Sequence, residues 1–235
     1  MIKIKNEIFF EEYEIFQKIF SEDDFFYAKK IRILDLGCGN GRFNLLIEKI
    51  FADFFYKKNF SVLKNYFFGF LKFFGVKKNF GVKKIFYGVE KNFFESSKKL
   101  TFNGNFSDVL INTKIEDFLE NPKNFVGNKK FNFIILSGIF ENFLKFDEKI
   151  LNKIYAILDK KGVVYINFWN YGEGFFDENK TLFREKNIFE VKKYFKQNIE
   201  NQIKKSDFGE NFYFDFFKKQ KNDGWNVVLV LKNLD

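Results

Sequence analysis

Ile33-Leu34-Asp35-Leu36-Gly37-Cys38-Gly39-Asn40-Gly41 is an apolar run carrying one acid, followed by three alternating glycines. Such a run reads as a buried strand whose end must turn sharply. Gly37, Gly39 and Gly41 open backbone conformations closed to other residues and let the chain approach a ligand closely. A helix beginning near Gly41 then offers unpaired N–H groups and a positive dipole end to an anionic group. A dinucleotide fingerprint would have glycine at the first, third and sixth places. Here glycine stands at the fifth, and the sixth is Arg42.

Composition narrows the chemistry. The 235 residues fit one domain, taken as 1–235, with a substantial core. Phe (40 residues), Lys, Asn and Ile are abundant while Ala, Arg and Pro are scarce, the bias of an AT-rich genome, so much of the Phe is core filler. The chain has no His, which removes imidazole bases, His-based metal sites and Ser/His or Cys/His nucleophile systems. No metal site is expected. Cys38 is the single cysteine, which predicts a reducing, cytoplasmic setting. Acids at Glu7, Glu11, Glu12 and Glu14 fit no signal-peptide core. The longest apolar stretch, Tyr66 to Phe74, is broken by Lys72 and falls short of the ~20 residues of a membrane helix.

Charge is lopsided. Of the formal +9, residues 49–84 hold +8: nine lysines against Asp53. Aromatics such as Phe54, Phe55, Tyr56, Phe67, Phe73 and Phe80 interleave with them. Lysines for phosphates and rings for bases suit a single-stranded or looped RNA surface. The competing reading is an amphipathic insertion, at about 57–84, whose rings pack down and whose lysines are solvated. Phe74-Gly75-Val76-Lys77-Lys78, Phe80-Gly81-Val82-Lys83-Lys84 and Tyr87-Gly88-Val89-Glu90-Lys91 form a small repeat. Only the third copy has a carboxylate able to accept a hydrogen bond, which makes Glu90 the working one.

The remaining elements follow from periodicity and breakers. Helices are expected over 7–20, from Gly41 to about Tyr56, over 92–102, at 117–120 before Pro122, over 147–159 and over 187–199. Strands are expected at 31–36, 85–90, 108–113, 131–136 and 163–168, then at 211–217 and 225–231 as an antiparallel pair. Strands alternating with helices imply a parallel sheet wound on both faces.

With these elements in place, the 33–41 run resembles motif I of the class I S-adenosylmethionine (SAM) methyltransferases. That resemblance implies an α/β, Rossmann-like fold: a mostly parallel seven-stranded sheet, helices on both faces and a C-terminal antiparallel hairpin. It also implies SAM as cofactor. Asp35 would engage the methionine ammonium, and the loop Gly37, Cys38, Gly39, Asn40 and Gly41 the methionyl carboxylate. Glu90 would take the ribose hydroxyls, Ile115 and Glu116 would flank the adenine, and Ser137 would stand where the methyl emerges.

A narrower resemblance concerns the acceptor. Ile134 to Phe143, the strand ending Phe168-Trp169-Asn170, Thr181-Leu182-Phe183 and Trp225 to Val230 are similar to a tRNA methyltransferase group that esterifies carboxymethyluridine at the anticodon wobble position. A carboxylate acceptor needs no base, since it is ionised at neutral pH. Asn142, Trp169 and Asn170 are the candidate acceptor-positioning residues, and where that group has paired histidines this chain has Glu141-Asn142. The group implies tRNA as partner, bound through 49–84, and in some members a small zinc-binding activator. Two alternatives stay open: a methyltransferase for a small molecule or protein side chain with the insertion as lid, and a non-catalytic SAM-binding scaffold.

Overall fold

The computed structural model describes residues 7–22, 25, 28–39, 41–65, 82–91, 108–140, 144–171, 199–218 and 225–233. For 7–11, 22, 55–65, 169–171, 214–218 and 225–227 this covers the backbone alone. In chain order these residues form α1 (Glu7–Glu22), β1 (Lys30–Leu36), α2 (Arg42–Asn65), β2 (Lys83–Val89) and β3 (Val109–Ile111). There follow α3 (Ile115–Glu120), α4 (Pro122–Val126), β4 (Phe131–Ser137), α5 (Glu148–Ile157) and β5 (Leu158–Tyr171). The last are α6 (Asn201–Lys205), β6 (Phe212–Lys218) and β7 (Trp225–Lys232).

The seven strands make one sheet in the order β3-β2-β1-β4-β5-β7-β6. The first five are mutually parallel, and β7 pairs antiparallel with both β5 and β6. This is the Rossmann-like order and closing hairpin expected of the resembled fold. From β1 the chain winds outward to β2 and β3; from β4 it winds the other way. The crevice between β1 and β4 at the strands' carboxyl ends is therefore the topological switch point, where open α/β sheets bind ligands.

Strand residues alternate between two cores. Ile33, Phe133, Ile135, Val163 and Tyr165 face α1 and α2, where Phe16, Phe20, Phe43, Ile47 and Phe51 meet them. Leu34, Leu36, Ile134, Leu136 and Val164 face α3, α5 and α6, meeting Phe118, Leu151, Ile154 and Ile203. Burial on both faces explains why these strands read as near-continuous apolar runs. Phenylalanine does much of the filling. Phe16 packs edge-on to Tyr165 and Phe133 at 4.6 and 5.2 Å between ring centres, and Phe20 to Phe133 at 5.1 Å. Edge-to-face contact at these separations is the favoured aromatic geometry.

Four boundaries differ from the sequence expectation. α2 continues to Asn65, so residues 57–65 of the supposed insertion are helix. No Gly or Pro interrupts 52–65, and nothing in the local chemistry stops the helix. Strand β2 starts at Lys83, taking the last lysines of that segment. The helix expected at 117–120 does end at Glu120 but starts at Ile115, and Pro122 opens a further helix, α4, at its first position, where a missing N–H costs nothing. α5 stops at Ile157 and β5 begins at once, with an irregular stretch between the pairs Phe131–Leu158 and Phe133–Val163. Gly162 is required there, since a Cβ would sit 2.7 Å from Leu158 Cγ and 2.8 Å from the Asp159 carbonyl oxygen. The expected helix at 92–102, and all but the end of that at 187–199, lie outside the described residues.

Candidate functional site

The turn after β1 is fixed by its neighbour strand. The N–H groups of Gly37 and Cys38 donate to the Val89 carbonyl at 2.8 and 3.3 Å, so the loop hangs from the end of β2. Gly37, Gly39 and Gly41 all have positive φ, +75°, +48° and +72°. Gly37 has a second constraint. A Cβ there would lie 2.4 Å from Ile139 Cδ1 and 3.6 Å from Ile115 Cδ1, which places Ile115 against the loop. At Gly39 a Cβ would meet nothing within 4 Å among the described residues, which leaves space beside the loop where a ligand would approach. Gly39 N–H donates to Glu90 Oε2 at 3.2 Å, joining the glycine loop to the carboxylate at the end of β2.

Asp35 lies on the α1/α2 face of β1, almost fully buried. No hydrogen bond among the described residues reaches its Oδ2. Burial pushes its pKa up to about 7; Arg42 opposes that rise, and the nearby Glu90 and Glu12 carboxylates add to it. An orphaned buried acceptor in this position fits a ligand that brings a positive N–H group with it. Burial, with Asp35 and Glu90 beside it, drives the Cys38 thiol well above the usual range. These surroundings favour the neutral thiol over the thiolate.

Three residues that the sequence reading did not assign to the site complete it. Arg42, at the start of α2, donates from Nη2 to Ser137 Oγ at 3.1 Å and lies 3.7 Å from Glu12 Oε1. Glu12, buried on α1, also accepts from Asn167 Nδ2 at 3.2 Å. Asn167 is paired with Ser137 across β4 and β5 and has its Oδ1 buried without a hydrogen bond among the described residues. Asp35, Ser137 and Asn167 thus share the α1/α2 face, Asp35 level with Ile135 and Tyr165 and Ser137 level with Asn167, two residues nearer the carboxyl edge. The missed signal was Glu12 itself. It sits one turn before Phe16 and two before Phe20, on the stripe that α1 buries.

Of the other predicted residues, Glu116 is exposed in the first turn of α3, beside buried Ile115. Trp169 and Asn170 fall in the last residues of β5, at the same carboxyl edge as Ser137. Asn40 and Asn142 lie outside the described residues. Among the described residues no group of three His, Cys, Asp or Glu could hold a metal, and no helix is long and apolar enough to cross a membrane.

The edge thus offers three carboxylates (Glu12, Asp35, Glu90) to one arginine, a glycine loop and two buried acceptors. SAM, with a sulfonium and an ammonium against one carboxylate, is net positive and fits that balance. Asp35 would hold its ammonium, the glycine-loop backbone its carboxylate, and Glu90 its ribose.

No model of a known protein family matches the sequence, and no curated protein matches it. Solved structures do. A Streptococcus mutans protein, described provisionally as a SAM-dependent methyltransferase, shares 15% identity at a TM-score of 0.46, covering 87% of this chain and 45% of that one. A SAM-dependent methyltransferase from Archaeoglobus fulgidus shares 13% at 0.43, covering 94% of each. The N-methyltransferase NodS of Bradyrhizobium japonicum shares 8% at 0.49, covering 99% and 100%. The chain spans about half the length of the first structures it matches, 45% and 56%. At these identities and scores the likenesses carry no weight of their own. The strand order and the carboxyl-edge chemistry carry the reading below.

Proposed function

We propose that this chain is a SAM-dependent methyltransferase acting on tRNA, with a wobble-uridine carboxylate as acceptor. The observation that carries the cofactor assignment is Asp35 Oδ2, a buried acceptor lacking a hydrogen bond among the described residues, beside a glycine loop tied to Glu90. When bound, SAM supplies a methyl group on a positively charged sulfur. The chain's own work is alignment and exclusion of water, which suffices for an in-line displacement. Asp35, ionised, fixes the amino-acid end. Glu90, positioned by the Gly39 N–H it accepts from, fixes the ribose end. Arg42 holds the Ser137 hydroxyl at the strand edge, where an acceptor anion would arrive beside a positive charge.

The absence of His, the neutral Cys38 thiol and the engaged Ser137 hydroxyl favour an acceptor that needs no deprotonation. The tRNA assignment is supported by the +8 charge of 49–84 and the group resemblance. Its test is transfer of labelled methyl from SAM to bulk tRNA, followed by mild alkali. Alkali-labile label is the expected result. Alkali-stable label keeps the RNA methyltransferase and removes the ester. Absence of label on a protein that binds SAM transfers the reading to a small-molecule acceptor, a missing activator or a scaffold.

A further inference from the structure

The edge of the sheet opposite the candidate site carries a pattern that only the strand register reveals. Each of four adjacent strands (β2, β1, β4 and β5) carries a lysine doublet at or within three residues of its amino end: Lys83-Lys84, Lys29-Lys30, Lys129-Lys130 and Lys160-Lys161. Lys30 and Lys83 are direct partners across β1 and β2. Lys160 and Lys161 occupy the irregular stretch beside Phe131, the residue that follows the third doublet. At about 4.8 Å between strands the four doublets form a row roughly 15 Å long.

Seven of these eight lysines are exposed. Lys84 is half-buried, pairing with Glu48 at 3.1 Å, while the ammoniums of Lys129 and Lys130 reach the carbonyls of Val126 and Ala156. Among the described side chains at this edge, the acids placed by a contact are Asp108, on the Phe86 N–H, Asp159, on the Asn132 amide, and Glu48, on Lys84.

α2 extends the same surface. Lys84, near the start of β2, contacts Glu48 and lies over the Phe51 ring at 4.8 Å. The helix has therefore reached the lysine edge by its tenth residue. Asp53 still accepts from Tyr13 on α1 and Phe54 still packs on the core, and the helix then runs on through 55–65 for about 16 Å at 1.5 Å per residue. Lys57, Lys58 and Lys64 lie in this stretch.

We infer that this amino-terminal sheet edge, continued by the end of α2, is a docking surface for the phosphate backbone of a structured RNA. It rests on the RNA reading above and gives it a geometry. From Lys30 to Leu36 the strand covers about 20 Å, so the edge grips a part of the RNA remote from the reacting nucleotide. A folded RNA long enough to span both edges is held by its body here and presents a loop at the opposite edge. A short single strand cannot do both. The row matches the dense, regular charge of a nucleic-acid backbone, which releases counterions when lysines replace them.

The test compares two triple variants of the full chain, K30Q/K83Q/K160Q at this edge and K114Q/K145Q/K149Q at the other, all at exposed positions. Binding of labelled bulk tRNA is followed by fluorescence anisotropy over a KCl series, and SAM binding by calorimetry. For the first variant, the slope of log K against log salt is expected to be shallower than wild type by about 2 to 3, at 0.7–0.9 per phosphate contact. SAM affinity is expected to stay unchanged, and the second variant to lose less RNA affinity. An unchanged slope in the first variant overturns the inference. So does an equal loss in both, since net charge would then be the whole effect. Wild-type protein that binds anionic vesicles but not tRNA overturns it as well. Loss of the methyltransferase reading appears separately, as wild-type protein that binds tRNA and shows no heat with SAM.

Discussion

The two edges of one sheet differ in the charges they concentrate and in how far those charges are buried. The carboxyl edge gathers Glu12, Asp35 and Glu90 around Arg42, with Glu12 and Asp35 almost wholly out of water. The amino edge gathers eight lysines, seven of them exposed. Buried charges act strongly on one ligand at short range, whereas exposed charges act weakly, in number, and are screened by salt. One edge is therefore suited to a single small cation and the other to a long polyanion. Parallel strands produce this polarity because every amino end falls on one side and every carboxyl end on the other.

The comparison breaks most sharply at the glycine loop. Gly37→Val places side-chain atoms against Ile139 at a φ of +75° and is expected to cost about 3 kcal/mol or more of stability, read by denaturant melting. Gly39→Ala should behave differently. With open space around its Cβ, the strain is about 1 kcal/mol, yet the methyl group enters the space a ligand needs. Near-wild-type melting with lost SAM binding is the expected pair of results, and retained binding would count against the site.

Asp35→Asn sharpens the electrostatic half. SAM affinity should fall about 10- to 100-fold at pH 8, by calorimetry, as expected for a charge-assisted hydrogen bond worth about 1.5–3 kcal/mol. Because the folded pKa of Asp35 is raised from 3.8 to about 7, the native state holds a proton that the unfolded chain releases. Wild-type stability should fall as pH rises from about 4 to about 7, then level, and the Asn variant should lose that slope. Cofactor affinity should run the other way, rising through pH 7 as the carboxylate ionises.

Glu12→Ala leaves Arg42 and the Asn167 amide without their shared acceptor. It should cost about 2 kcal/mol of stability, and Glu12→Gln about half, because the amide oxygen still accepts from Asn167. The smallest effect belongs to Tyr13→Phe. Its hydroxyl donates to Asp53 at 2.7 Å, joining α1 to α2, and burial with the Asp53 carboxylate holds its pKa at about 12. A loss of about 1 kcal/mol or less, with no change in SAM affinity, is expected from thermal melting.

Legibility in the sequence followed locality. β1, the glycine loop and β4 lie within a residue of their expected places, because buried runs and glycine turns are written in consecutive residues. The end of α2 was hidden, since no Gly or Pro in 52–65 marks where the helix stops. The lysine doublets read as the bias of the composition, and their alignment exists only in the parallel register.

What the sequence by itself determined is the α/β winding, the turn at Gly37–Gly41 and the carboxylates Asp35 and Glu90, each dictated by nearest-neighbour patterning and backbone sterics. Tertiary structure alone decided that Glu12 would meet Asn167, 155 positions away, and that Arg42 would bridge Glu12 and Ser137. It alone set four separate doublets in one row. Those pairings depend on which faces are buried together, and burial is a property of the whole chain.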